Sequence, residues 1–354
     1  GDIELTAEHA LSFKSVSDAQ IAPDGKIIVF VVGDAFKADT KFPKANIWVV
    51  SSSGGQARQF TSGLRSDTAP RWSPDGKTLA FLSDREEDGR RQVYLLPRDG
   101  GEARKLTEAA GDIPSPRSLN PLEWSPDGKR IAVLVTDPKT DEEKRHIDEK
   151  DDAIVFERDP KYTRVHVFDV ATGEMEFVSP LGLQIWEFCW SPGDKEFAVV
   201  CSDLPWEQAW YTCRLAIVSM NDGLERTLHR SERQVAKPVW SPDGGSIAFL
   251  SSNWSDRGIN GGSAYVVSVD CEVRDVSAGH VASVFSLAWS DDSDKLLTAA
   301  HERGGVGLAE IDLSAGERTS LWTAEASLAT SGTSFSRDRR GNIALVCEDA
   351  SSPQ

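Results

Sequence analysis

The sequence lacks the features that mark a membrane protein, a disulfide framework or a zinc site. No apolar stretch reaches 18 residues, so no membrane span is expected. The cysteines are odd in number, show no CxxC spacing and have no histidine pattern nearby: Cys189, Cys201, Cys213, Cys271 and Cys347. We therefore expect buried, reduced thiols in a cytoplasmic protein.

Positive charge is also scarce. The chain has 39 Lys and Arg residues against 56 Asp and Glu residues, which gives a formal net charge of −17 at pH 7. Such an acidic surface repels phosphate backbones and anionic lipids, so neither nucleic acid nor membrane is expected as a partner. Solubility is the simplest explanation of the acidity.

Helix signals are few, and short apolar runs between turn residues are frequent, which favours an all-β fold. One phrase recurs: an aromatic residue, then Ser-Pro-Asp-Gly or a remnant of it, then an apolar run. Its copies fall at residues 22, 72, 124, 190, 240, 289 and 335, with intervals of 50, 52, 66, 50, 49 and 46. A period near 50 in strand-rich sequence is typical of the blades of a propeller.

The chemistry of the phrase explains why it recurs. In Trp72-Ser73-Pro74-Asp75-Gly76, Pro fixes φ, Asp accepts local backbone hydrogen bonds and Gly takes the positive φ that closes the turn. The aromatic residue ends the innermost strand, where it can wedge between neighbouring blades.

The predicted fold is an all-β, seven-bladed β-propeller of four-stranded antiparallel blades, forming one domain over residues 1–354. A lead-in segment is expected at 1–14. The seventh blade is expected to be incomplete, with two strands, which leaves either an exposed edge or a blade completed by something outside this chain. The units are predicted at about 16–62, 67–107, 118–179, 184–228, 234–277, 283–321 and 327–350.

The long third interval comes from a charged insertion at 137–161. Mixed charge of this density is usual for a solvated loop or a short exposed helix. A docking or gating loop is the alternative.

Two stretches carry a family resemblance. The opening Leu5–Leu11 with Ser15–Lys26, and Asp151–Pro160 with the strand that follows it, resemble the prolyl-oligopeptidase family of serine peptidases, in its acylaminoacyl-peptidase-like branch. The resemblance covers essentially the whole chain but only the non-catalytic half of such an enzyme. It implies a C-terminal α/β-hydrolase domain beyond Gln354 that supplies the Ser, Asp and His, and a propeller that gates the access of short peptides. Homo-oligomers are possible.

The sequence is also compatible with two other functions. A free-standing TolB-type propeller that binds a protein or peptide as a scaffold is the main alternative. An enzyme that uses a metal in the propeller's own funnel is a third. We assign no catalytic, cofactor-binding or metal-binding residues, and expect no cofactor.

Four motifs contain residue types that could carry chemistry. Gly261-Gly262-Ser263 lacks the final Gly of a nucleophile elbow and precedes a strand, so it is interpreted as a turn. His280 and His301 have no triad spacing, and Asp291–Asp294 is interpreted as a turn rather than a calcium loop. Trp206–Tyr211 either lines the central funnel, where a Glu could hold a peptide N-terminus, or forms a loop whose aromatic residues pack on the blade.

Overall fold

The structure, a computed structural model, describes residues 6, 12–36, 42–115, 120–150, 159–257, 261–328 and 335–348. Within this part of the chain the helices are α1 (Asp141–Asp148) and α2 (Glu207–Trp210). No helix in it is both long and apolar enough to cross a membrane. The strands are β1 (Lys14–Ile21), β2 (Ile27–Asp34), β3 (Ala45–Ser51), β4 (Arg58–Gln59), β5 (Asp67–Trp72), β6 (Thr78–Ser83), β7 (Gln92–Pro97), β8 (Arg104–Lys105), β9 (Leu122–Trp124), β10 (Arg130–Thr136), β11 (Thr163–Asp169), β12 (Met175–Val178), β13 (Gln184–Trp190), β14 (Glu196–Ser202), β15 (Arg214–Ser219), β16 (Glu225–Arg230), β17 (Gln234–Trp240), β18 (Ser246–Ser252), β19 (Ser263–Ser268), β20 (Val273–Asp275), β21 (Ser283–Trp289), β22 (Lys295–Glu302), β23 (Gly305–Asp312), β24 (Arg318–Ala324), β25 (Ser327–Leu328), β26 (Phe335–Arg337), β27 (Ile343–Leu345) and β28 (Cys347–Glu348).

Strands β1 to β24 form six sheets, each made of four consecutive antiparallel strands. This confirms an all-β propeller of four-stranded antiparallel blades. In each blade the first strand is the inner strand, beside the axis, and the fourth is the outer strand. Because successive strands reverse direction, the turns after the first and third strands lie on one face, called the turn face here. The connections after the second and fourth strands lie on the opposite face, the loop face.

Strands β25 to β28 form a partial unit of two short two-stranded pairs, β25 with β28 and β26 with β27. Its Leu328 and Phe335 pack into an apolar cluster of the sixth blade, and Ala344 packs against Ala19 and Ile21 of the first. The Ile21 amide donates to Ser336 Oγ at 2.8 Å. The structure therefore shows six complete blades and a partial unit in contact with the first and the sixth. The inner strand expected near residue 333 lies outside the described residues.

The repeated phrase forms the predicted turn. Ser73 Oγ donates to Asp75 Oδ1 at 2.6 Å, the Lys77 amide donates to the same carboxylate oxygen, and the Gly76 amide donates to the Ser73 carbonyl at 2.8 Å. Gly76 has φ +70°, which favours glycine. These hydrogen bonds lower the pKa of Asp75, which stays charged in the turn. The Ser–Asp bond recurs in the third, fifth and sixth blades (Ser125–Asp127, Ser241–Asp243 and Ser290–Asp292).

The recurring tryptophan ties the second, third, fourth and sixth blades to the blade before, as the wedge interpretation predicted. Its indole N–H donates to a backbone carbonyl on the preceding inner strand, from the residue before that strand's own aromatic position. The pairs are Trp72 to Gln20 at 3.3 Å, Trp124 to Arg71 at 3.0 Å, Trp190 to Glu123 at 3.4 Å and Trp289 to Val239 at 2.9 Å. Trp240 differs, since it donates to Gly244 in its own turn at 3.2 Å.

The buried core lies between neighbouring blades. One cluster, for example, joins Val29 and Ile47 of the first blade to Leu79 and Phe81 of the second. Each sheet thus buries its apolar faces against its neighbours in the ring, which is the condition that makes a propeller repeat stable.

The charged insertion contains α1, an exposed helix with no buried residue. Thr140 and Glu143 form a reciprocal capping box at its N-terminus, which satisfies two backbone amides that lack helical partners. Arg164 holds the base of the insertion through Asp137 at 2.7 Å. The residues 151–158 of the family-like stretch lie outside the described residues.

Candidate functional site

One charged residue near the axis marks each of the first five inner strands. Asp18, Arg71, Glu123, Glu187 and Lys237 form what we call the axial charge set. Inner strands β1, β5 and β17 have a bulge, at which Asp18, Ala69 and Lys237 adopt φ of +51°, +52° and +53°. A bulge turns side chains away from their regular direction in the sheet.

The first half of this set forms a continuous polar chain. Arg71 Nη1 lies 3.0 Å from both carboxylate oxygens of Asp18, and both residues are buried. Arg71 Nε donates to Asn120 Oδ1 at 2.9 Å, and Asn120 Nδ2 lies 3.4 Å from Glu123 Oε1. Glu123 Oε2 in turn accepts the Trp190 amide at 2.9 Å. The chain therefore links four consecutive inner strands across the gaps between blades.

The second half links the fourth and fifth blades. Glu187 Oε2 accepts the backbone N–H of Lys237 at 2.6 Å. Burial raises the pKa of Glu187 to about 7, and burial likewise raises the pKa of Glu123 to about 7. Burial lowers the pKa of Lys237, partly offset by the charge of Glu187. Both carboxyl groups are therefore poised to exchange a proton near neutral pH.

The Trp206–Tyr211 segment lies in the loop between β14 and β15, on the loop face. Trp210 is buried and stacks on Trp254 at 6.1 Å, as the packing interpretation predicted. Glu207 is exposed and pairs with Arg257 at 3.0 Å.

Arg257 connects this loop to the axis. Its guanidinium lies 4.6 Å from the ring centroid of Trp186, on inner strand β13, beside Glu187. Its charge is close enough to act on the carboxyl group of Glu187, where it opposes the rise in pKa caused by burial. On the loop face, between the fourth and fifth blades, the exposed Arg257 and Glu207 thus lie over the buried ring of Trp186.

The other motifs have structural roles. Ser263 begins β19, and Gly262 exchanges two backbone hydrogen bonds with Val284, so the segment is a turn before a strand. In Asp291–Asp294, Asp292 Oδ1 accepts the Asp294 amide at 3.2 Å and Ser293 takes the positive φ, so it is also a turn. His301 packs on Phe285 at 4.6 Å. Within the described ranges, no group of three or more His, Cys, Asp or Glu side chains is placed to hold a metal ion.

The cysteine expectation was wrong for two residues. Cys201 and Cys213 are buried, but Cys271 and Cys347 are exposed. Cys271 lies in the turn between β19 and β20 at φ +70°, and Cys347 lies on the short strand β28 of the partial unit. The apolar run around Cys347 suggested burial, but the partial unit has no outer strands among the described residues to cover it.

The axial charge set was missed at sequence level. The available signal is a charged side chain within an otherwise apolar inner strand, such as Glu in Gln-Ile-Trp-Glu-Phe-Cys-Trp of β13. Charged residues are seldom buried unless they are paired, so their presence in strands that precede the aromatic position indicates a polar axis.

Comparison with known proteins agrees with the fold. A family model described as the TolB β-propeller domain, PD40, matches residues 6–154. The uncharacterised peptidase YuxL of Bacillus subtilis strain 168 is 38% identical over 186 residues, which cover 49% of this chain and 27% of YuxL. Dipeptidyl-peptidase 5 of Porphyromonas gingivalis is 26% identical over 346 residues, covering 88% of this chain and 48% of that protein. The chain thus spans half or less of these relatives.

Solved structures of peptidases are also similar to this chain in fold. Acylaminoacyl peptidase of Pyrococcus horikoshii superposes with a TM-score of 0.71 at 18% identity, over 99% of this chain and 52% of that one. The β-propeller domain of the Trilobed protease from Pyrococcus furiosus, described as having an open velcro topology, gives 0.65 at 19% identity, over 97% and 94%.

A TolB-type protein from Agrobacterium tumefaciens gives a TM-score of 0.55 at 18% identity, over 83% of this chain and 93% of that one. Propellers associated with peptidases and TolB-like propellers are therefore both among the neighbours. The resemblance seen in the sequence is confirmed as a similarity: residues 6–154 match the PD40 β-propeller model, the similar proteins include peptidases and acylaminoacyl peptidases, and the described residues form a propeller.

Proposed function

We propose that this chain is the non-catalytic propeller of a prolyl-oligopeptidase-family serine peptidase, and that it gates the access of short peptides to an α/β-hydrolase active site outside the chain. In this proposal the partial unit occupies the seventh position of the ring. Its packing against both the sixth and the first blade supports that count. The peptide substrates, the C-terminal hydrolase partner and a cytoplasmic location remain predictions.

The observation that carries the proposal is the difference between the two faces. Of the twelve large apolar side chains that are exposed among the described residues, eight lie in loop-face connections or beside the start of an inner strand on that face. They are Phe13, Phe36, Leu64, Ile147, Leu181, Leu204, Tyr211 and Val281. Exposed apolar surface on one side of a soluble domain favours a protein partner. Because the matched relatives are at least twice as long as the matched segment, a second domain of the same protein is the occupant we propose.

The gating role is supported by the axial charge set. The inner strands of neighbouring blades are tied by hydrogen bonds from buried charged side chains, and we propose that this network keeps the axial opening narrow. A folded protein cannot pass such a ring, whereas a short extended peptide could exchange hydrogen bonds with its polar groups. The exposed Arg257 and Glu207 on the loop face would contact that peptide first.

The test uses the full gene product. A fluorophosphonate probe should label one serine outside residues 1–354, and the coding sequence after Gln354 should contain a Gly-x-Ser-x-Gly phrase. Peptides of about five residues should be cleaved, and polypeptides of about 30 residues should be resistant. A stop codon directly after Gln354, or no labelled serine, would contradict the proposal.

A second experiment tests gating separately. Glu207→Ala with Arg257→Ala removes this ion pair on the loop face while leaving the hydrolase intact. We expect a change of severalfold in kcat/KM for peptides with little change for a small chromogenic ester. Equal effects on both substrates would contradict gating while leaving the family assignment unaffected.

The alternative, a free-standing TolB-type scaffold, is favoured by one observation. The match to the TolB-type protein from Agrobacterium tumefaciens covers 93% of that chain, so a propeller of this kind can form nearly a whole protein. Under this alternative the purified chain should be monodisperse and should show no peptidase activity. A loop-face substitution such as Leu64→Glu should abolish binding of its protein partner.

A further inference from the structure

The sixth blade has an outer strand that is longer than that of its neighbour. β24 has seven residues, whereas β20 in the fifth blade has three. The outer part of the sixth blade therefore extends past the fifth, and a cleft of about 700 Å³ lies beside it. This volume is within the range of small-molecule sites. The cleft opens on the loop face, because Val281 follows the outer strand of the fifth blade and Arg303 follows the second strand of the sixth, and none of its lining residues belongs to the axial charge set.

The charges that line the cleft are not all compensated. Glu302 and Arg318 pair with each other at 3.0 Å and are both largely buried, so they add no net charge. Arg303, at the tip of the turn between β22 and β23, is exposed and has no ion-pair or hydrogen-bond partner among the described residues. Its backbone adopts φ +46°, and Gly304 follows at +85°, a tight turn that projects the guanidinium at the cleft.

His280 adds a directed donor. Its Nδ1 is buried and has no hydrogen-bond partner among the described residues, while the residue as a whole remains partly exposed and lines the cleft. A buried N–H without an acceptor is rarer in proteins than a buried acceptor without a donor. When one ring nitrogen carries the hydrogen, the donor is therefore assigned to Nε2, the other ring nitrogen. Ser320 and Thr323 contribute hydroxyl groups to the same cleft.

We propose that this cleft binds the free carboxylate of a short peptide. Arg303 and the imidazole N–H of His280 would donate to the carboxylate, with the hydroxyls of Ser320 and Thr323 beside them. Charge-assisted hydrogen bonds from a guanidinium to a carboxylate are stronger than neutral ones. Glu325, which also lines the cleft, repels ligands that carry several negative charges, so a peptide monoanion fits better than a phosphate ester.

The experiment measures binding by calorimetry or NMR titration, on intact protein whose reactive serine, if any, is blocked with a fluorophosphonate. The probes are acetyl-Gly-Gly-Ala and its C-terminal amide. We expect the acid to bind about tenfold or more tightly than the amide. Arg303→Ala should weaken binding of the acid about tenfold, and His280→Phe, which keeps an aromatic ring, should weaken it severalfold.

A matched variant locates the effect. Lys77→Ala removes an exposed cation from the turn face and should bind the acid as the wild type does. Circular dichroism of each variant controls for folding. Equal binding of acid and amide, an unchanged affinity in Arg303→Ala, or displacement of the acid by inorganic phosphate at equal concentration would overturn the proposal.

Discussion

The turn face and the loop face of this propeller follow different rules. On the turn face the same Ser–Asp and backbone hydrogen bonds recur from blade to blade. The described connections of the loop face differ from one another: they include an insertion with a helix, the stack of Trp210 on Trp254 and most of the exposed apolar side chains. The repeated turn residues therefore build the ring, and we expect function in the loop-face connections, which differ from one another.

The largest effect is expected from the repeated tryptophan. Trp124 is buried and its indole donates to the Arg71 carbonyl of the preceding blade. Trp124→Ala removes that bond and leaves a cavity between two blades, which should lower the free energy of unfolding by about 4 kcal/mol. Urea denaturation measures it. Trp322→Ala, at a partly buried position on outer strand β24, is the control and should lower the free energy of unfolding clearly less. Equal losses in the two variants would show that the tryptophan between the blades stabilises the protein no more than one on an outer strand.

The second-largest loss of stability is expected from breaking the ion pair between Asp18 and Arg71. Asp18→Ala leaves the guanidinium of Arg71 buried without its carboxylate, which should destabilise the protein by about 3 kcal/mol. The matched control is Asp291→Ala, which removes an exposed pair with Arg337 and should have little measurable effect. If both variants unfold at the same urea concentration, the axial network does not stabilise the ring.

The third prediction concerns pH. The pKa of Glu187 is about 7 in the folded protein, above its ordinary value of 4.5, because burial disfavours the charged form. The folded state then binds this proton more tightly than the unfolded chain does. The stability contributed by this tighter proton binding is fully present below about pH 4.5 and is lost as the pH rises to about 7.

Glu187→Gln abolishes this titration and keeps an oxygen that can accept the Lys237 amide. Relative to the wild type, the variant should therefore gain about 2 kcal/mol of stability between pH 5 and pH 8. Glu102→Gln, at an exposed position, should give a difference that does not change with pH. A constant difference for Glu187→Gln would mean that the carboxyl group is already ionised at pH 5.

The sequence predicted the part of the fold that repeats. Tryptophan and Ser-Pro-Asp-Gly are local signals whose chemistry is complete within a few residues, so the blades and their turns could be assigned without coordinates. The axial network could not be predicted in this way, because Arg71 meets Asp18 and Asn120 only after 53 and 49 residues of intervening chain have folded into separate blades. The cleft beside β24 depends on the relative lengths of strands in adjacent blades, which a motif search does not compare.

The smallest effect is expected in the fourth blade, whose turn departs from the repeated Ser-Pro-Asp-Gly order. In the fourth blade the order Asp-Gly is reversed to Gly193-Asp194, and Asp194 takes φ +58° in place of a glycine. Burial raises the pKa of Asp194, and the negative charge of the neighbouring Asp127 adds to the rise because the two carboxylates repel each other.

The double variant Gly193→Asp with Asp194→Gly restores the common order, gives Ser191 a carboxylate partner and relieves the strained backbone. We expect a gain of about 1 kcal/mol in the free energy of unfolding. The reciprocal variant in the third blade, Asp127→Gly with Gly128→Asp, should lose a similar amount, because it breaks the Ser125–Asp127 bond and places Asp at φ +72°. Because the two swaps have the same composition and opposite predicted signs, a shared sign in urea denaturation would show that the turn order does not control the stability of the turn face.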